Sequence, residues 1–224
     1  MSMDLAKRAA ARAALDELPE AGIIGLGSGS TAKIFIDEVG ELVRAGRKLS
    51  GVPTSIGSRE QAEALGIPLL SDQGPWEIAV CVDGADEVDQ ALNLIKGGGA
   101  AHAREKIVNR ASRKNVIIVD KSKLSRRLGE RWPVPVEVLR FGQLQSKKLL
   151  GEIGTATLRE KNGSAWLTDA GNVIYDVKVG PIDDPALLDR TLHAIPGVVE
   201  TGLFIGRADL VLVARESGLE KLRA

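Results

Sequence analysis

Apolar and polar positions follow two alternating patterns along the first 120 residues. Short runs such as "AGIIGLG" and "NVIIVD" contain almost no polar side chain, as expected of strands buried on both faces of a parallel sheet. Between such runs, segments such as "STAKIFIDEVGELVRAG" place apolar residues at helical spacing, for example Ile34, Val39 and Leu42. This alternation predicts an open parallel sheet covered by helices.

The same patterns predict the individual elements of this part. An alanine- and leucine-rich helix covers "MDLAKRAAARAALDEL" and stops at Pro19 and Gly22. Ser30 or Thr31 is able to cap the helix that follows the first strand. We predict further strands at "LSGVPTS", "IPLL", "WEIAVCVDGAD" and "NVIIVD", and further helices at "SREQAEALG" and "AHAREKIVNRASRK".

The pattern changes near residue 130. "RWPVPVEVL" is extended and interrupted by proline, whereas "GQLQSKKLLGEI" and "DDPALLDRTLHAI" are helical, the second with Asp183 or Asp184 as its cap. "ATLRE" and "SAWLTDAGNVIYDVKVG" predict strands, with "DAGN" as the turn of an antiparallel hairpin. "ADLVLVA" predicts a strand that returns to the main sheet.

Together these elements predict an α/β protein with two domains. We expect residues 1–129 and 206–224 to form a Rossmann-like open parallel sheet, and residues 130–205 to form a smaller antiparallel α+β domain of ferredoxin-like type. A chain of 224 residues is long enough for one medium domain with a small companion.

Composition narrows the class of partner. Thirty basic and thirty acidic residues cancel, so no overall field favours nucleic acid or a membrane surface. Cys81 has no partner for an internal disulfide, which fits a reducing compartment. The sequence also lacks a signal-peptide core and any apolar stretch of membrane-spanning length. We therefore expect a cytoplasmic protein that binds a small molecule, not nucleic acid or a membrane.

The loop "GLGSGSTA" joins the first predicted strand to a helix, whose unpaired N–H groups offer a natural anion site. It is not a Walker A loop, because Gly29 is followed by Ser30 where that motif needs lysine. It does match G-x-G-x-x-A, but the second strand ends in "VPTS" without the acidic residue of a dinucleotide site. The hydroxyls of Ser28, Ser30 and Thr31 favour a small phosphate, with a plain strand-to-helix turn as the alternative.

The segment "VDGADEVD" places Asp83 at the end of an apolar strand and Asp86 after a turn at Gly84. Ligands in open parallel sheets lie beyond the carboxyl ends of the strands, so both carboxylates are expected to face the crevice of the glycine loop. A polar loop that caps the next element and a Mg²⁺ site stay open at this point. The spacing excludes an EF-hand.

The segment "IKGGGAAHAREKIV" contains three consecutive glycines, whose ordering is costly in conformational entropy. A loop that closes on a ligand explains them better than a neutral linker. Lys96 precedes the glycines and Glu105 lies near the start of the next helix, although a solvated lysine and a first-turn glutamate are the ordinary interpretations of each alone. "VDKSK" adds Lys121 and Lys123 at another strand end.

No pattern of metal ligands or of a serine nucleophile stands out. His102 and His193 lie far apart in sequence, and one cysteine does not make a zinc motif. The G-x-S-x-G elbow of serine hydrolases is absent from the sequence. We therefore expect no metal and no cofactor.

The motifs "GLGSGSTA", "VDGADEVD", "KGGGAAHAREKIV" and "VDKSK", in this order and spacing, resemble the type A ribose-5-phosphate isomerases. The likeness continues through "VPVEV", "TDAGNVIYDV" and "IPGVVETGLF" and covers nearly the whole chain. It implies an enzyme of the pentose phosphate pathway that interconverts D-ribose 5-phosphate and D-ribulose 5-phosphate through an enediolate, without metal or organic cofactor. It also implies a homodimer or homotetramer.

The resemblance implies a role for each motif. Glu105 is the expected catalytic base, Lys96 would stabilise the enediolate, and Asp83, assisted by Asp86, would open the furanose ring. Ser28 departs from the threonine that many members carry, but a hydroxyl is retained. The positions expected to bind substrate are Lys7, Ser28, Gly29, Ser30, Thr31, Gly84, Ala85, Gly97, Gly98, Gly99 and Lys123.

Two other classes of protein stay open on the sequence. A sugar-phosphate sensor of a transcription regulator would need no base such as Glu105, and such proteins carry a DNA-binding helix-turn-helix. A CoA transferase-like enzyme would instead use its glutamate as a nucleophile. Turnover of ribose 5-phosphate in the presence of EDTA separates these classes from a cofactor-free isomerase.

Overall fold

The structure is a computed structural model that describes residues 3–216 and 218–223. Its helices are Met3–Ala14 (α1), Ser30–Arg44 (α2), Ile56–Ala64 (α3), His102–Arg110 (α4), Gln143–Leu150 (α5) and Pro185–His193 (α6). Its strands are Ala21–Leu26 (β1), Lys48–Pro53 (β2), Ile78–Asp83 (β3), Glu87–Val88 (β4), Leu94–Ile95 (β5), Ser112–Asp120 (β6), Val134–Val138 (β7), Thr155–Leu158 (β8), Glu160–Lys161 (β9), Ser164–Ala165 (β10), Val173–Lys178 (β11), Val198–Thr201 (β12), Leu203–Phe204 (β13), Leu210–Arg215 (β14) and Gly218–Arg223 (β15). Short 3-10 turns follow α1 and β6, at Leu15–Glu17 and Lys121–Lys123.

By its internal contacts the chain divides into two units. The first unit comprises Met1–Ala85, Arg104–Lys123 and Arg207–Ala224, and the second comprises Asp86–Ala103 and Leu124–Gly206. Within the described residues, no helix combines the length and the apolar character needed to cross a membrane.

The first unit contains a six-stranded sheet in the order β15-β14-β6-β3-β1-β2. Its strands are parallel except β15, which pairs antiparallel with β14. The chain moves outward from β1 to β2 and then returns to place β3 on the other side of β1. The gap between the carboxyl ends of β1 and β3 is therefore a topological switch point, where open α/β sheets bind ligands. The predicted open parallel sheet, including the returning "ADLVLVA" strand, is confirmed.

The core of the first unit consists almost entirely of aliphatic side chains. Small residues on α1 are completely buried and let that helix approach α2, β6 and β14 closely. Phe35 is the aromatic member of this core. Fully buried members include Ala10, Ala11, Ala14, Ile24, Leu26, Phe35, Ile36, Val39, Val82, Val116 and Leu212.

The second unit is built on a four-stranded antiparallel sheet in the order β12-β7-β11-β8. Leu150 of α5 and Leu192 of α6 belong to the same core as the central strands. Tyr175 on β11 is almost completely buried, and its hydroxyl donates to Gln143 Oε1 at 3.0 Å. Burial raises the pKa of this phenol. The predicted antiparallel α+β part is thus present.

The division into units differs from the predicted domain limits over residues 86–103 and 124–129 and at residue 206. The strands β4 and β5 form a three-stranded sheet with β13, and Val88 bridges to Leu124. These pairings tie residues 86–103 to the second unit. Strands of two residues leave no periodic pattern, so the sequence did not indicate them.

The predicted hairpin around "DAGN" is wrong in its pairing. The segment does form a tight turn, in which the Gly171 N–H donates to Thr168 O at 2.8 Å. However, β10 pairs with β9, and β11 pairs with β7 and β8. The β9–β10 hairpin turns at Asn162 and Gly163, whose φ angles are 55° and 77°. Asn-Gly is the dipeptide typical of a type I′ turn, which needs positive φ at both positions.

Two local predictions were wrong and one was confirmed. "IPLL" forms only an isolated bridge between Gly51 and Leu69. The cap of α2 is Gly29, with φ of 91° and no side-chain cap, so neither Ser30 nor Thr31 has that role. Asp184 caps α6, as predicted, by accepting from the Leu187 N–H at 2.9 Å.

An ion pair joins the turn after α1 to the main sheet. Lys114 Nζ on β6 lies 2.6 Å from Glu17 Oε2, and Lys221 Nζ on β15 lies 3.5 Å from Glu17 Oε1. The hydrogen bond from Lys114 is the main cause that lowers the pKa of Glu17 below 4.5.

We predict that Lys114→Met lowers the free energy of unfolding at pH 7 by up to about 1 kcal/mol, as is usual for a partly exposed pair. A carboxyl whose pKa falls on folding adds stability above its unfolded pKa and loses it as the pH drops through the folded pKa. The difference from the parent protein should therefore begin to shrink as the pH falls below about 4.3, the value of an unperturbed glutamate, and vanish below the lowered pKa of Glu17. Urea unfolding at pH 7 and at a series of acidic pH values measures it.

Arg113→Met is the matched control, because its pair with Glu77 is exposed on both sides. It should leave stability unchanged at either pH. A Lys114→Met difference that persists unchanged at low pH would show that the ion pair is not its cause.

Candidate active site

A carboxylate connects the loops that follow β1 and β3. Asp83 is the last residue of β3 and is 3% exposed. Its Oδ1 accepts from the Ser28 N–H at 2.9 Å and from the Gly84 N–H at 2.7 Å. The Gly27 N–H in turn donates to Val82 O at 3.0 Å. The glycine loop is thus held against the end of β3, at the switch point of the sheet.

Two glycines are required by close packing at this point. A Cβ on Gly27 would lie 2.6 Å from Asp83 Cα and closer still to its carboxyl group. A Cβ on Gly25 would lie 2.7 Å from Cys81 Sγ and 2.9 Å from Val108 Cγ1. Gly27 therefore lets the loop reach Asp83, and Gly25 lets α4 pack on β1 and β3.

The amino end of α2 has the properties of an anion site. Gly29 precedes the helix with φ of 91°, and no side chain of the described residues caps it. The first N–H groups of a helix lack intrahelical partners and carry a partial positive charge. Ser28 is half-buried in the loop, while Ser30, which is exposed, and Thr31, which is half-buried, are the first two residues of the helix. A phosphate group is the ligand that such a combination favours.

A group of hydroxyls contacts the loop, contributed by the two residues after β2 and by α3. Thr54 Oγ1 lies 2.7 Å from Ser28 Oγ, and Ser58 Oγ donates to Gly27 O at 2.7 Å. Ser55 caps α3 by accepting from the Ser58 N–H at 3.1 Å. The hydroxyls of "VPTS" were given no role, although β2 lies beside β1 in the predicted sheet and this places them near the glycine loop. The sequence carries no such signal for Ser58 on α3.

Glu105 lies in the first turn of α4 and is 5% exposed. The other end of this helix is fastened to the segment before β14. Arg207 donates from Nε to Asn109 Oδ1 at 3.0 Å and from Nη2 to Asn109 O at 2.9 Å. Burial is the main cause that lowers the pKa of the Arg207 guanidinium. This contact and the packing of Val108 together fix the helix that carries Glu105.

The lysines expected at the phosphate differ in their surroundings. Lys121 pairs with Glu216 Oε1 at 2.7 Å on the surface, and this pair lowers the pKa of Glu216. Lys123 is half-buried at the end of the 3-10 turn after β6. Lys7 is half-exposed on α1. A role of Lys7 and Lys123 in substrate binding stays a prediction.

In the second unit, Asp86 holds the glycine-rich segment. Asp86 Oδ2 accepts from the Gly98 N–H at 2.7 Å, and a Cβ on Gly98 would lie 2.7 Å from Oδ1. Gly97 has φ of 109°, and a Cβ there would lie 2.8 Å from His102 Nδ1. No described atom lies within 4 Å of a Cβ on Gly99. Two of the three glycines are therefore required by packing.

Lys96 is buried in spite of its charge, at 3% exposure. Its backbone N–H donates to Gly202 O at 2.9 Å. Its Nζ lies 5.5 Å from the centre of the Phe204 ring, within range of a cation–π contact. These contacts hold the ammonium group in place.

The carbonyl of Gly97 is held by a side chain that the sequence did not indicate. Arg159 donates to Gly97 O from Nη1, and it binds Asp176 through both Nε and Nη2. A bidentate arginine–carboxylate pair is among the stronger protein contacts and fixes the guanidinium plane. Arg159, which lies between β8 and β9 and is held by Asp176 on β11, therefore supports the glycine-rich segment.

The acidic residues of "VDGADEVD" have different roles. Glu87 is completely buried and accepts from the N–H groups of Gly129, Arg131 and Trp132 at 2.9–3.3 Å. Asp89 accepts from the N–H groups of Ala91 and Asn93 and thereby closes a turn. Both residues stabilise backbone. Asp83 and Asp86 are the two that lie beside the glycine segments.

His193 lies between two carboxylates of the second unit. Its Nδ1 is 3.4 Å from Asp189 Oδ1, and its Nε2 is 2.9 Å from Glu200 Oε1. One ring nitrogen of His193 and one carboxylate oxygen each from Asp189 and Glu200 lie within 4.8 Å of one another, a spacing that could hold a metal ion. The arrangement links α6 to β12.

Residues 50–218 match the family model of ribose 5-phosphate isomerase A (phosphoriboisomerase A). The chain belongs to this family. A ribose-5-phosphate isomerase A of Gloeobacter violaceus is 45% identical over 224 residues, which cover 99% of this chain and 97% of the relative.

Solved structures of ribose-5-phosphate isomerases have the same fold. The isomerase A of Methanocaldococcus jannaschii is 38% identical with a TM-score of 0.94, and the match covers 100% of both chains. A D-ribose-5-phosphate isomerase in complex with phospho-erythronic acid is 39% identical with a TM-score of 0.96, again over 100% of both chains. The resemblance inferred from the four motifs is confirmed.

The structure brings some of the expected isomerase residues together within each unit. In the first unit, hydrogen bonds join Ser28, Asp83 and Gly84. In the second unit, a hydrogen bond joins Asp86 to Gly98. Ala85 is half-buried and connects the two segments along the chain. The catalytic and binding roles of these residues stay predictions.

We predict that Gly27→Ala lowers the free energy of unfolding by about 1–3 kcal/mol, the usual range for overpacking. The added methyl group displaces the loop from Asp83, so phosphate binding should weaken as well. Chemical denaturation and calorimetric titration with inorganic phosphate measure the two effects.

Gly57→Ala is the matched control, because Gly57 lies in α3 and no described atom lies within 4 Å of a Cβ placed on it. Alanine favours a helix over glycine by up to about 1 kcal/mol, so this variant should be as stable as the parent or more stable. Equal behaviour of the two variants would contradict the packing explanation.

Proposed function

We propose that this protein interconverts ribose 5-phosphate and ribulose 5-phosphate, with Glu105 as the general base. The observation that carries this proposal is the match over the whole chain to proteins named ribose-5-phosphate isomerase A. One of the matching structures contains phospho-erythronic acid. Its carboxylate resembles an enediolate in shape and charge, which supports a substrate of sugar-phosphate type.

Phosphate binding would anchor the substrate at the amino end of α2. The N–H groups of its first turn, with the hydroxyls of Ser28, Ser30 and Thr31, match the acceptor oxygens of a phosphate. Lys7 and Lys123 would add positive charge. Binding energy from this non-reacting group would orient the sugar carbons for the chemical step.

Ring opening would use the carboxylates at the end of β3. Asp83, held by two N–H groups, would take the proton from the C1 hydroxyl while the bond from C1 to the ring oxygen breaks. The proton taken by Asp83 is delivered to the ring oxygen, with assistance from Asp86, so that no net proton is gained or lost. The two aspartates are three residues apart, so the chain keeps their Cα atoms within about 11 Å.

Glu105 would then move one proton between neighbouring carbons. It removes the proton from C2, the electron pair forms the C1–C2 double bond, and negative charge develops on O1. The ammonium group of Lys96 stabilises this enediolate. Glu105 returns the proton to C1, the C2 hydroxyl loses its proton to become the ketone, and O1 is protonated. Such a base typically contributes about 10²- to 10⁴-fold to the rate.

Family membership also supports a place in the pentose phosphate pathway, a cytoplasmic location and assembly as a homodimer or homotetramer. The single buried Cys81 is in keeping with a reducing compartment. The molar mass in solution, measured by light scattering, distinguishes the dimer from the tetramer.

We predict that Glu105→Gln lowers kcat by at least about 100-fold, because the amide cannot accept the C2 proton. The change is nearly isosteric, so the affinity for a non-reacting sugar phosphate should change less than about threefold. Coupled measurement of ribulose 5-phosphate formation and calorimetric titration separate the two quantities.

Glu60→Gln makes the same chemical change at an exposed position on α3 and should leave kcat unchanged. Parallel loss of turnover and binding in Glu105→Gln would assign a structural role to Glu105 instead.

We also predict that EDTA leaves turnover of ribose 5-phosphate unchanged. In the proposed mechanism Lys96 supplies the positive charge at the enediolate and Glu105 moves the proton, so no metal is required. Initial rates before and after dialysis against EDTA measure this. Loss of activity that Mg²⁺ restores would overturn the cofactor-free mechanism.

A further inference from the structure

Thr54 is completely buried beside the glycine loop. It directly follows β2, and its N–H donates to Leu26 O at 2.9 Å, which extends the pairing of β2 with β1 by one residue. Its backbone is therefore fixed by the sheet. Its hydroxyl oxygen lies 2.7 Å from Ser28 Oγ, the geometry of a good O–H···O hydrogen bond. The buried Thr54 hydroxyl thus contacts Ser28, a residue that is expected to bind the phosphate.

The neighbouring hydroxyl of Ser58 has its hydrogen committed elsewhere. Ser58 Oγ donates to Gly27 O at 2.7 Å. A hydroxyl has only one hydrogen, so at Ser55 Oγ, 2.9 Å away, and at Ser28 Oγ, 3.4 Å away, Ser58 can only accept. Ser58 therefore holds the backbone of the loop and leaves the direction of the Thr54–Ser28 bond open.

The direction of that bond decides what Ser28 can do. Phosphate oxygens accept hydrogen bonds, so Ser28 contributes to phosphate binding by donating its single hydrogen. If Ser28 donates to Thr54, that hydrogen is used within the protein. If Thr54 donates to Ser28, the Ser28 hydrogen is available for the phosphate, and its oxygen is polarised by the donor behind it.

We propose that Thr54 is a positioning residue, whose hydroxyl donates to Ser28 Oγ and commits the Ser28 hydrogen to the phosphate of the bound substrate. This rests on the proposed function, in which Ser28 contacts that phosphate. Thr54 itself does not touch the substrate. We call these two successive hydrogen bonds, from Thr54 to Ser28 and from Ser28 to the phosphate, the relay. It runs from the residue after β2 to the glycine loop after β1.

The first test is Thr54→Val, which removes the hydroxyl with little change in shape. KM for ribose 5-phosphate should rise about fivefold, the factor that corresponds to one neutral hydrogen bond. The value of kcat should stay within about twofold, because this one hydrogen bond to the phosphate is made equally in the ground state and in the transition state. Thr54→Ser keeps the donor and should restore KM to within about twofold of the parent. An unchanged KM in folded Thr54→Val overturns the proposal.

The decisive test is a double-mutant cycle with Ser28→Ala. If Thr54 acts through the Ser28 hydroxyl, Thr54→Val should raise KM no further once Ser28 is alanine. Independent effects, in which the two fold-changes multiply, overturn the relay. Should Thr54→Val not fold, Thr54→Ala completes the same cycle.

Thr168→Val is the matched control for removal of a buried threonine hydroxyl. Thr168 is 8% exposed and donates to Glu137 Oε1 at 2.8 Å in the second unit. This variant should lose stability without a change in KM. A similar rise in KM would show that general destabilisation, and not the relay, explains the effect of Thr54→Val.

Calorimetric titration with inorganic phosphate tests the relay separately from the reaction. The dissociation constant of inorganic phosphate should rise in Thr54→Val, and Thr54→Val should raise it no further once Ser28 is alanine. If the parent protein does not turn over ribose 5-phosphate, the proposed function fails, and the phosphate titration still tests the relay. If the parent turns over but the cycle is independent, only the relay fails.

Discussion

The Asp83 carboxylate determines how the first unit presents its glycine loop. One oxygen accepts from the N–H groups of both Ser28 and Gly84, so the chain leaving β1 and the chain leaving β3 meet at a single atom. This is possible only because Gly27 has no side chain to occupy the space at Asp83. This contact fixes the start of α2 and the position of Ser28. The hydrogen bonds of the Thr54 and Ser58 hydroxyls with the loop depend on it as well. In the proposed reaction, the residue that orders the loop also opens the sugar ring.

Much of the first unit could be predicted from the sequence, because strands buried on both faces are continuous apolar runs. The wrong predictions arose where a signal was two residues long or depended on tertiary contact. The strands β4, β5 and β13 are too short to be periodic. The Asn162-Gly163 dipeptide did carry a turn signal, but the hairpin was instead placed at "DAGN". The hydroxyls of Ser30 and Thr31 suggested a cap, but the left-handed backbone at Gly29 begins α2 one residue earlier.

The candidate site shows a similar limit. The acidic and glycine-rich motifs indicated Asp83, Asp86 and Glu105 because these residue types stand at predicted strand and helix ends. Sequence could not indicate Arg159 or Ser58, since each acts on a backbone carbonyl that is remote along the chain. It also could not separate Glu87, which satisfies three buried N–H groups, from the neighbouring aspartates. Residue type suggests chemistry, whereas a partner is known only once the chain has folded.

The position of β14 has a consequence for the order in which the protein folds. This strand lies in the main sheet beside β6, although about ninety residues of the second unit and its connections separate the two in sequence. During synthesis, the core strands of the second unit leave the ribosome before β14 does. The edge of β6 therefore remains unpaired until the last strands arrive. Closing so long a loop is entropically slow, and an unpaired apolar edge favours misassociation during that interval. If the second unit folds early, the connection between β6 and β14 becomes effectively shorter, and β14 pairs with the edge of β6 sooner.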